Sequence, residues 1–404
     1  MMKQQTPVRP ADRMTNLMAE QNRKMAASAH AYVRGSTARF YDWIEASDRR
    51  PLPEGPPVWI CGDCHVGNLG PVGSADGDIA IEIRDLDQTV IGNPAHDLIR
   101  LGLSLAMAAR GSDLPGVTTA RMMERMIAGY ETAFAPRAQG ETTDAGSDMP
   151  ETLRLPMRRA ASRSWKHLAD ERIEGVEPAI PLGKRFWPLT AAERSAVDAL
   201  FARDDTQTLV RSLSAFGDNA AVRVMDAAYW RKGCSSLGRL RLAVLLGVGK
   251  GKKQRHCLMD VKQATKAAAP HAPGADMPAG DADRVVAGAR ALSPYLGGRM
   301  MAARILDKSV FIRALLPQDL KVEIETLTHH EAVEVAGSLA RVVGRAHARQ
   351  LNADGRADWA NALRRSHTRS LQAPSWLWNS VVDLIGLHEA AYLDHCRRYA
   401  LGDR

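Results

Sequence analysis

Residues 61–68 read CGDCHVGN and follow a short apolar segment, residues 58–60, which we predict to be a β-strand. Residues 69–72 and 79–84 flank the turn sequence GSADG and are predicted to pair as a β-hairpin. Residues 85–87, Asp-Leu-Asp, leave the second strand at the end where the first strand begins. We therefore expect the segments 61–68 and 85–87 to lie side by side at one end of the hairpin.

The polar residues of these two segments suit phosphoryl transfer. Asp63, Asn68 and Asp85 supply the carboxylate and amide oxygens that Mg²⁺ prefers as ligands. In that chemistry one aspartate orients and deprotonates the acceptor hydroxyl, while an asparagine and a second aspartate hold the metal ion that bridges the phosphates. Any one of these residues alone is better interpreted as a cap on backbone groups in a polar turn. The combined pattern favours the phosphoryl-transfer site.

Two other chemistries overlap the same segment. Residues 61–65 form the string C-x-x-C-H, which is the attachment sequence of c-type haem. Haem attachment requires export, and it leaves Asn68 and Asp85 unexplained. Cys61 and Cys64 could also begin a zinc site, but the sequence lacks a second ligand pair at the usual spacing. We therefore keep both as minor alternatives.

A second group of candidate site residues begins with residues 233–238, which read GCSSLG and precede a predicted strand. Small residues allow backbone N–H groups to approach phosphate oxygens, and a serine hydroxyl can add a hydrogen bond. A glycine-rich turn between two strands is, when taken alone, usually only a turn. The residues expected to cover a phosphate are Gly233, Ser235, Ser236 and Gly238.

Lys262 ends the next predicted strand, residues 257–262, and is expected to contact the α- and β-phosphates of a nucleotide. A glycine-rich loop, two strands and a strand lysine occur in this order in protein kinases. The acidic partner of Lys262 should lie on the following helix, where Asp283 is the candidate. The alternative for such a carboxylate is a helix cap.

Residues 61–68 resemble the HGDxHxGN catalytic loop of aminoglycoside phosphotransferases and choline-kinase-like enzymes, which have the protein-kinase-like fold. Cys61 replaces the usual histidine, and the matching positions are Gly62, Asp63, His65, Gly67 and Asn68. The resemblance implies that Asp63 is the catalytic base. It also implies that Asn68 and Asp85 bind magnesium with the help of Asp87.

The same resemblance assigns supporting roles to two further residues. His65 and Asp97 are expected to brace the catalytic loop rather than to react. The family's glycine-aspartate-proline pattern corresponds to residues 92–94 here, where Asn93 stands in place of the aspartate.

The motifs occur in an unusual order. Asp63 and Asp85 precede Gly233 and Lys262, whereas the glycine loop and the lysine come first in ordinary kinase-like proteins. Connecting residues 221–348 ahead of residues 58–134 restores the usual order, so the chain resembles a circular permutation of that fold. Permutation is tolerated where chain termini lie close together at the surface.

This arrangement resembles a bacterial family catalogued as the domain of unknown function 2252, over roughly residues 20–400. The shared features include Arg34-Gly35, the catalytic loop, the D-x-D pair and a late G-x-x-S-x-G-R segment at residues 233–239. Ser235 departs from the glycine that is usual in the family. The resemblance implies nucleotide use and names no substrate, because fold does not determine function.

Helix signals appear on both sides of the strand-rich part. Asn93-Pro94 predicts the start of a helix that is apolar nearly all round and hence buried. Thr190 with Glu193, and Thr328 with Glu331, form capping boxes. Residues 13–46, 118–134 and 376–399 are also predicted to be helical.

We therefore predict an α+β fold, which the resemblance makes a two-lobed, circularly permuted kinase-like fold. Residues 1–220 would form a mostly helical catalytic lobe. Residues 221–322 would form a small nucleotide lobe with an antiparallel sheet. Residues 323–404 would be helices that complete the catalytic lobe.

The composition of the chain limits which binding partners and which cellular compartment we expect for the protein. The 404 residues include 45% apolar residues and no run of 18 of them, so we expect no membrane span. The absence of an apolar leader and the odd number of cysteines indicate a reducing, cytoplasmic location. The 54 basic and 46 acidic residues suit a phosphorylated or acidic ligand, and they do not favour nucleic acid.

These observations predict an enzyme, an ATP- and Mg²⁺-dependent phosphotransferase that acts on a hydroxyl of a small molecule or a protein. One alternative is nucleotidyl transfer, in which the same site moves AMP. The other is a nucleotide-binding regulator that has no turnover, and the intact pair of Asp63 and Asn68 argues against it.

Overall fold

The computed structural model of the 404-residue chain describes residues 8–46, 52–112, 114–135, 150–162, 179–213, 220–234, 236–251, 254–316, 319, 328–367 and 373–399. These residues form a mixed α+β structure with small antiparallel sheets. Its helices are α1 (Arg13–Ala26), α2 (Ala29–Gly35), α3 (Thr37–Ala46), α4 (Pro94–Gly111), α5 (Gly116–Glu131), α6 (Glu151–Ser162), α7 (Ala191–Phe201), α8 (Asp204–Arg211), α9 (Asp281–Leu292), α10 (Pro294–Gly297), α11 (His329–Ala348), α12 (Ala353–Arg365) and α13 (Ser375–Tyr399).

The strands form one larger sheet and two strand pairs. The strands are β1 (Val58–Ile60), β2 (Leu69–Gly73), β3 (Ile79–Ile83), β4 (Val90–Gly92), β5 (Phe186–Trp187), β6 (Val222–Trp230), β7 (Arg241–Val248), β8 (Arg255–Gln263), β9 (Met300–Ile305) and β10 (Lys308–Leu315). The predicted hairpin is the antiparallel pair β2–β3, and β1 pairs with β4. The larger sheet has the order β5-β6-β7-β8-β10-β9, and all of its pairs are antiparallel.

The larger sheet has one apolar face and one face that becomes charged toward one end. Leu242, Val244 and Val261 point to a core that also contains residues of α7 and α8. The alternate positions of the same strands carry Arg241 and Lys262, which are register partners across β7 and β8. Because side chains alternate along a strand, the two-residue period separates the apolar positions from these charges.

The helical core surrounds α4, which is buried along almost its whole length, as its sequence predicts. Its N-cap is Asn93, whose side chain accepts a hydrogen bond from the backbone N–H of Ala95. Helices α5 and α11 approach so closely that a Cβ atom on Gly129 would lie 2.1 Å from the carbonyl oxygen of Gly337. A side chain at position 129 would therefore force these helices apart.

Both capping boxes are confirmed. Thr190 and Glu193 open α7, and Thr328 and Glu331 open α11, with both reciprocal hydrogen bonds present. Residues 13–46, which are predicted to be helical, form three helices. The break between α1 and α2 has a clear cause, because Ser28 caps α2 by accepting from the N–H of Ala31.

Residues 186–213 do not pack where the predicted division of the chain into lobes would place them. β5 pairs with β6, and Trp187, Val197 and Leu200 belong to the core on the apolar face of the sheet. This segment lies within the predicted helical lobe 1–220, yet it covers the sheet. Conversely, Val285 of α9, from the predicted sheet region 221–322, is buried in the helical core.

Candidate active site at the hairpin end

The loop after β1 is tied to the first turn of α4. Both oxygens of the buried Asp97 carboxylate accept hydrogen bonds from this loop, from Cys61 N at 2.7 Å and from Gly62 N at 2.9 Å. Gly62 has φ +73°, and a Cβ atom there would lie 2.1 Å from the carbonyl oxygen of Gln88. The loop conformation therefore depends on a glycine at this position and on the carboxylate of Asp97.

Asp97 is itself held by a chain of buried polar groups. His347 Nε2 lies 3.2 Å from Asp97 Oδ2 and donates to it, because an ionised carboxylate only accepts. The hydroxyl of Tyr130 lies 2.8 Å from His347 Nδ1, and Trp359 Nε1 donates to that hydroxyl at 3.2 Å. The expectation that Asp97 braces the loop agrees with these contacts, which connect α4, α5, α11 and α12.

Asp63 lies at the centre of the loop and is buried. Its Oδ1 accepts from Arg100 Nε at 2.9 Å, and the same guanidinium donates to the carbonyl oxygen of Val33. Burial raises the pKa of the Asp63 carboxyl, while the charge of Arg100 opposes the rise. The side-chain amide of Asn68 donates to the backbone oxygen of Asp63 at 2.9 Å, so these two predicted site residues lie together.

His65 lies beside Asp63 without a close ion pair, because its Nε2 is 3.9 Å from Asp63 Oδ2. Burial lowers the pKa of His65 well below its usual range, and the positive charges of Arg34 and Arg100 lower it further. We therefore expect His65 to be neutral at physiological pH and to act as a structural residue of the loop.

The D-x-D segment after β3 meets the strand lysine. The ammonium group of Lys262 lies 3.1 Å from Asp85 Oδ1 and 2.6 Å from Asp87 Oδ2. Lys262 exposes only 2% of its side chain, and Asp87 exposes 11%, but Asp85 exposes 45%. Residues that are 177 positions apart in the sequence thus form one cluster whose Asp85 carboxylate is open to a ligand.

The two carboxylates of this cluster differ in their proton affinity. Burial acts to raise the pKa of Asp85, but the charge of Lys262 outweighs it and the pKa lies well below the usual range. Burial and the neighbouring charge of Asp85 raise the pKa of Asp87 to about 6. Asp85 therefore has the lower pKa of the pair and loses its proton first.

A charged triad, in which Asp260 and Arg241 are buried and Arg313 is partly buried, supports Lys262 on the same face of the sheet. Asp260 accepts from Arg241 at 2.8 and 2.6 Å and from Arg313 Nε at 3.0 Å. Arg313 also donates to the backbone oxygen of Arg84, the residue before Asp85. The triad therefore connects the sheet to the segment that carries the metal-binding candidates.

The glycine-rich turn between β6 and β7 lies near these groups. Gly233 and Gly238 have φ +104° and +94°, which explains the glycines at both ends of the turn. Ser236 is buried, whereas Ser235 lies outside the described residues. Burial raises the pKa of the Cys234 thiol, the positive charges of Arg34 and Lys24 oppose the rise, and the negative charge of Asp63 adds to it. A Cβ atom on Gly233 would lie 3.8 Å from a guanidinium nitrogen of Arg241, so the turn lies against the charged face of the sheet.

The partners of Lys262 are Asp85 and Asp87, and the expectation that Asp283 would pair with it is wrong. Asp283 lies in the first turn of α9, with its carboxylate against Gly280, where a negative charge is favourable to the helix dipole. The neighbouring residue Arg284 has the larger role. Its guanidinium donates to the backbone oxygens of Asp87, Thr89 and Thr265.

Sequence reasoning missed Arg100 and Arg284. Arg100 donates to the Asp63 carboxylate of the loop 61–68, and Arg284 donates to the backbone of the segment 85–87. Arg100 had a visible signal, because it is a single charge within the apolar stretch of α4 and so had to be buried with a partner. Arg284 begins an Arg-Val-Val segment that belongs to the family resemblance, but this pattern does not indicate which groups the guanidinium contacts.

Cys61, Cys64 and Asp97 bring one ligand atom each to within 4.8 Å of one another, which is close enough to hold a metal ion. The oxygens of Asp97 already accept hydrogen bonds from two backbone N–H groups and from His347. Burial raises the pKa of the Cys61 thiol well above its usual range, which disfavours the thiolate that binds metals. The cluster therefore has the chemistry of a buried structural contact.

Comparison with known proteins identifies one family. The model of the bacterial family described as "Uncharacterized protein conserved in bacteria (DUF2252)" matches residues 13–398. No curated protein and no solved structure matches the chain. Among the helices that the structure describes, none has the length and apolar character required to cross a membrane.

Proposed function

The chain belongs to the family DUF2252, and from the geometry of its site we propose that it is an ATP- and Mg²⁺-dependent phosphotransferase with a circularly permuted, kinase-like, two-lobed fold. The larger sheet would be the nucleotide lobe, and the helices around α4 would be the catalytic lobe. The five free cysteines are consistent with a reducing, cytoplasmic location.

The observation that carries the proposal is the position of the Lys262 ammonium between the carboxylates of Asp85 and Asp87. A phosphotransferase needs a cation for the nucleotide phosphates beside carboxylates for a metal ion. A purely structural ion pair needs only one carboxylate for one lysine. Here two carboxylates share one ammonium, and the more acidic one, Asp85, is also the more exposed.

The donor set fits magnesium. Asp85, Asp87 and the amide oxygen of Asn68 are hard oxygen ligands, and the ionised, exposed carboxylate of Asp85 is available to a cation. These three residues would hold the ion. When bound, Mg²⁺ supplies charge neutralisation for the phosphate oxygens. Lys262 would contact the same phosphates from the sheet.

Asp63 is suited to accept the proton of the attacking hydroxyl. Its raised pKa makes the carboxylate a stronger base than an exposed aspartate, and Arg100 keeps it oriented through Oδ1. Its second oxygen, Oδ2, would face the hydroxyl. Asn68 stabilises the backbone of the same residue, so that the base and the metal ligands are positioned by one short loop.

The first test is the thermal stability of the purified protein with ATP, GTP or AMP, each with and without Mg²⁺. A ligand at 100 times its Kd should add about 2.7 kcal/mol, which is about 3 °C for a chain of this size. We expect a shift that requires both Mg²⁺ and ATP and that is lost in Asp85→Asn and Lys262→Met. Asp358→Asn, which alters an exposed carboxylate on α12, is the matched control.

The second test separates binding from transfer. Asp63→Asn should retain the Mg·ATP-dependent shift and lose turnover of ATP. Label carried by the γ-phosphate should appear in the product of phosphoryl transfer, whereas label on the α-phosphate would indicate AMP transfer. Full turnover in Asp63→Asn would refute the assignment of the base, and a normal shift in Asp85→Asn would refute the metal site.

A further inference from the structure

A second feature of this region is a cavity of about 570 Å³ beside the glycine-rich turn, here called the basic cavity. Gly233 and Cys234 of the turn form part of its wall, and one carboxylate, Glu20, lines it. Its volume lies in the range of small-molecule binding sites, about 300–1,000 Å³. Its six cationic lining residues are Lys24, Arg34, Lys184, Arg185, Arg231 and Lys232.

This charge does not follow from the composition of the chain, which has 54 basic and 46 acidic residues. The single carboxylate of the cavity is also already engaged. Glu20 pairs with Lys24 at 2.8 Å and with Arg231. Positive charge is therefore in excess in the basic cavity, and it would attract a ligand that carries several negative charges.

Several of these cations are held in place. The guanidinium of Arg231 stacks over the ring of Trp187 at 4.6 Å, and the ammonium of Lys232 lies 4.3 Å from the ring centre of Trp230. Lys24 donates to the backbone oxygen of Gly233 at 3.2 Å. Ordered cations lose little freedom when an anion binds, and this favours affinity.

The basic cavity adjoins the catalytic loop through Arg34. A Cβ atom on Gly67 would lie 3.2 Å from the guanidinium carbon of Arg34, so this side chain packs directly on the segment between Asp63 and Asn68. The charge of Arg34 also lowers the pKa of His65. A ligand in the cavity would therefore contact a side chain that packs on the loop carrying Asp63.

The cluster of Lys262, Asp85 and Asp87, which is proposed to bind the nucleotide and the metal ion, is a separate part of the site. The residues that line the basic cavity do not include Lys262, Asp85 or Asp87. The glycine-rich turn is the element that both parts share, since Arg239 at its end lies 3.9 Å from Asp87 Oδ2. The site thus offers one place for a nucleotide and a metal ion, and a second, cationic place that shares only the glycine-rich turn with it.

We propose that the basic cavity binds the acceptor, and that the acceptor is a small hydroxyl compound that carries a phosphate group. This inference rests on the proposed phosphotransferase function and names its substrate class. Aminoglycosides and choline, the acceptors of the enzymes that residues 61–68 resemble, carry positive charge, and the cations of this cavity would repel them.

The transfer step conserves atoms and charge. The acceptor hydroxyl gives its proton to the Asp63 carboxylate, and its oxygen forms a bond to the γ-phosphorus of ATP. The bond between that phosphorus and the β,γ-bridging oxygen breaks, and its electron pair leaves with ADP. The product carries the second phosphate on the former hydroxyl oxygen.

The test uses three sugars with the same ring and different charge, measured by isothermal titration calorimetry on the full chain. Glucose 6-phosphate is the dianionic probe, glucose is neutral and glucosamine is cationic. The test variant is Lys184→Gln/Arg185→Gln, because both residues are exposed and line the cavity. The control, Arg290→Gln/Lys308→Gln, removes two exposed cations elsewhere.

We expect glucose 6-phosphate to bind at least tenfold more tightly than glucose, and glucosamine to bind no better than glucose. The test variant should lose at least tenfold in affinity for the phosphate sugar, and the control should lose less than twofold. Raising the salt concentration should lower the affinity for glucose 6-phosphate more than the affinity for glucose. Equal binding of the three sugars would overturn the proposal.

Mg·ATP provides the second arm of the experiment. The test variant should bind Mg·ATP as the wild type does, and glucose 6-phosphate should bind together with a non-hydrolysable ATP analogue. The variant could lower the affinity for Mg·ATP as much as the affinity for glucose 6-phosphate, or the ATP analogue and the sugar could compete for binding. Either result would show that the cavity holds nucleotide phosphates and that the acceptor assignment is wrong. Failure of wild-type protein to bind Mg·ATP, with sugar binding intact, would refute the proposed function and reduce the cavity to an anion site.

Discussion

Replacing Asp97 by asparagine tests whether the predicted catalytic loop, residues 61–68, depends on one buried carboxylate. Asp97 has no exposed surface and accepts three hydrogen bonds, from Cys61 N at 2.7 Å, Gly62 N at 2.9 Å and His347 Nε2 at 3.2 Å. Asparagine has nearly the same shape, but one of its two terminal groups is a donor. That group must face either the N–H of Gly62 or the N–H groups of Cys61 and His347.

The size of the effect follows from this mismatch. At least one hydrogen bond to a charged acceptor is lost, which costs about 1.5–3 kcal/mol, and a buried donor is left unsatisfied. We therefore expect Asp97→Asn to lower the free energy of unfolding by about 3 kcal/mol. For a chain of this length, that corresponds to a decrease in Tm of about 3–4 °C if the protein unfolds as one unit.

Calorimetry and turnover measurements check this prediction together. The loop also positions Asp63, so turnover should fall at least tenfold, while the Mg·ATP-dependent thermal shift should persist because Asp85 and Lys262 are unchanged. Asp358→Asn, the same chemical change at an exposed position, should alter neither quantity. A Tm for Asp97→Asn equal to that of the wild type, with normal turnover, would show that the carboxylate does not hold the loop.

Two further predictions concern buried charges and pH. The positive charges of Arg241 and Arg313 outweigh burial and lower the pKa of Asp260, so its stabilising contribution is present above about pH 4 and is lost below it. Asp260→Asn should lower the free energy of unfolding by about 3–5 kcal/mol at pH 7, and urea titrations should show this difference shrinking below pH 4. Burial lowers the pKa of His96 to about 4, so protonation of the unfolded chain should destabilise the fold as pH falls from 6.5 to 4. His96→Gln should remove a pH-dependent loss of about 3 kcal/mol over that range, and an unchanged slope of Tm against pH would contradict it.

The features that the sequence predicted well involve residues close together in the chain. The capping boxes at Thr190 and Thr328, each four residues long, were confirmed because both partners lie in one helical turn. The hairpin β2–β3 was predicted for the same reason, since its turn and its alternating apolar residues are adjacent. Strands β4, β5, β6 and β9 were not predicted.

Predictions of partners across long separations were less successful. Asp283 was chosen for Lys262 because it is an acidic residue on the next helix, but Asp85, 177 residues away, occupies that position together with Asp87. Strand register decides which side chains of the sheet face residues 85–87. That register depends on the pairing among β7, β8 and β10. A single sequence does not display that pairing.

The sequence by itself determined the family and the chemical character of the predicted catalytic loop, because residues 61–68 and 85–87 carry the candidate oxygen ligands and the turn residues in contiguous segments. Tertiary structure alone decided which cations hold those ligands and where the basic cavity lies. The side chains of Arg34, Arg100 and Lys262 come from separate elements, and charges interact through space rather than along the chain. Packing of the sheet against the helical core therefore assigned these cations to their partners.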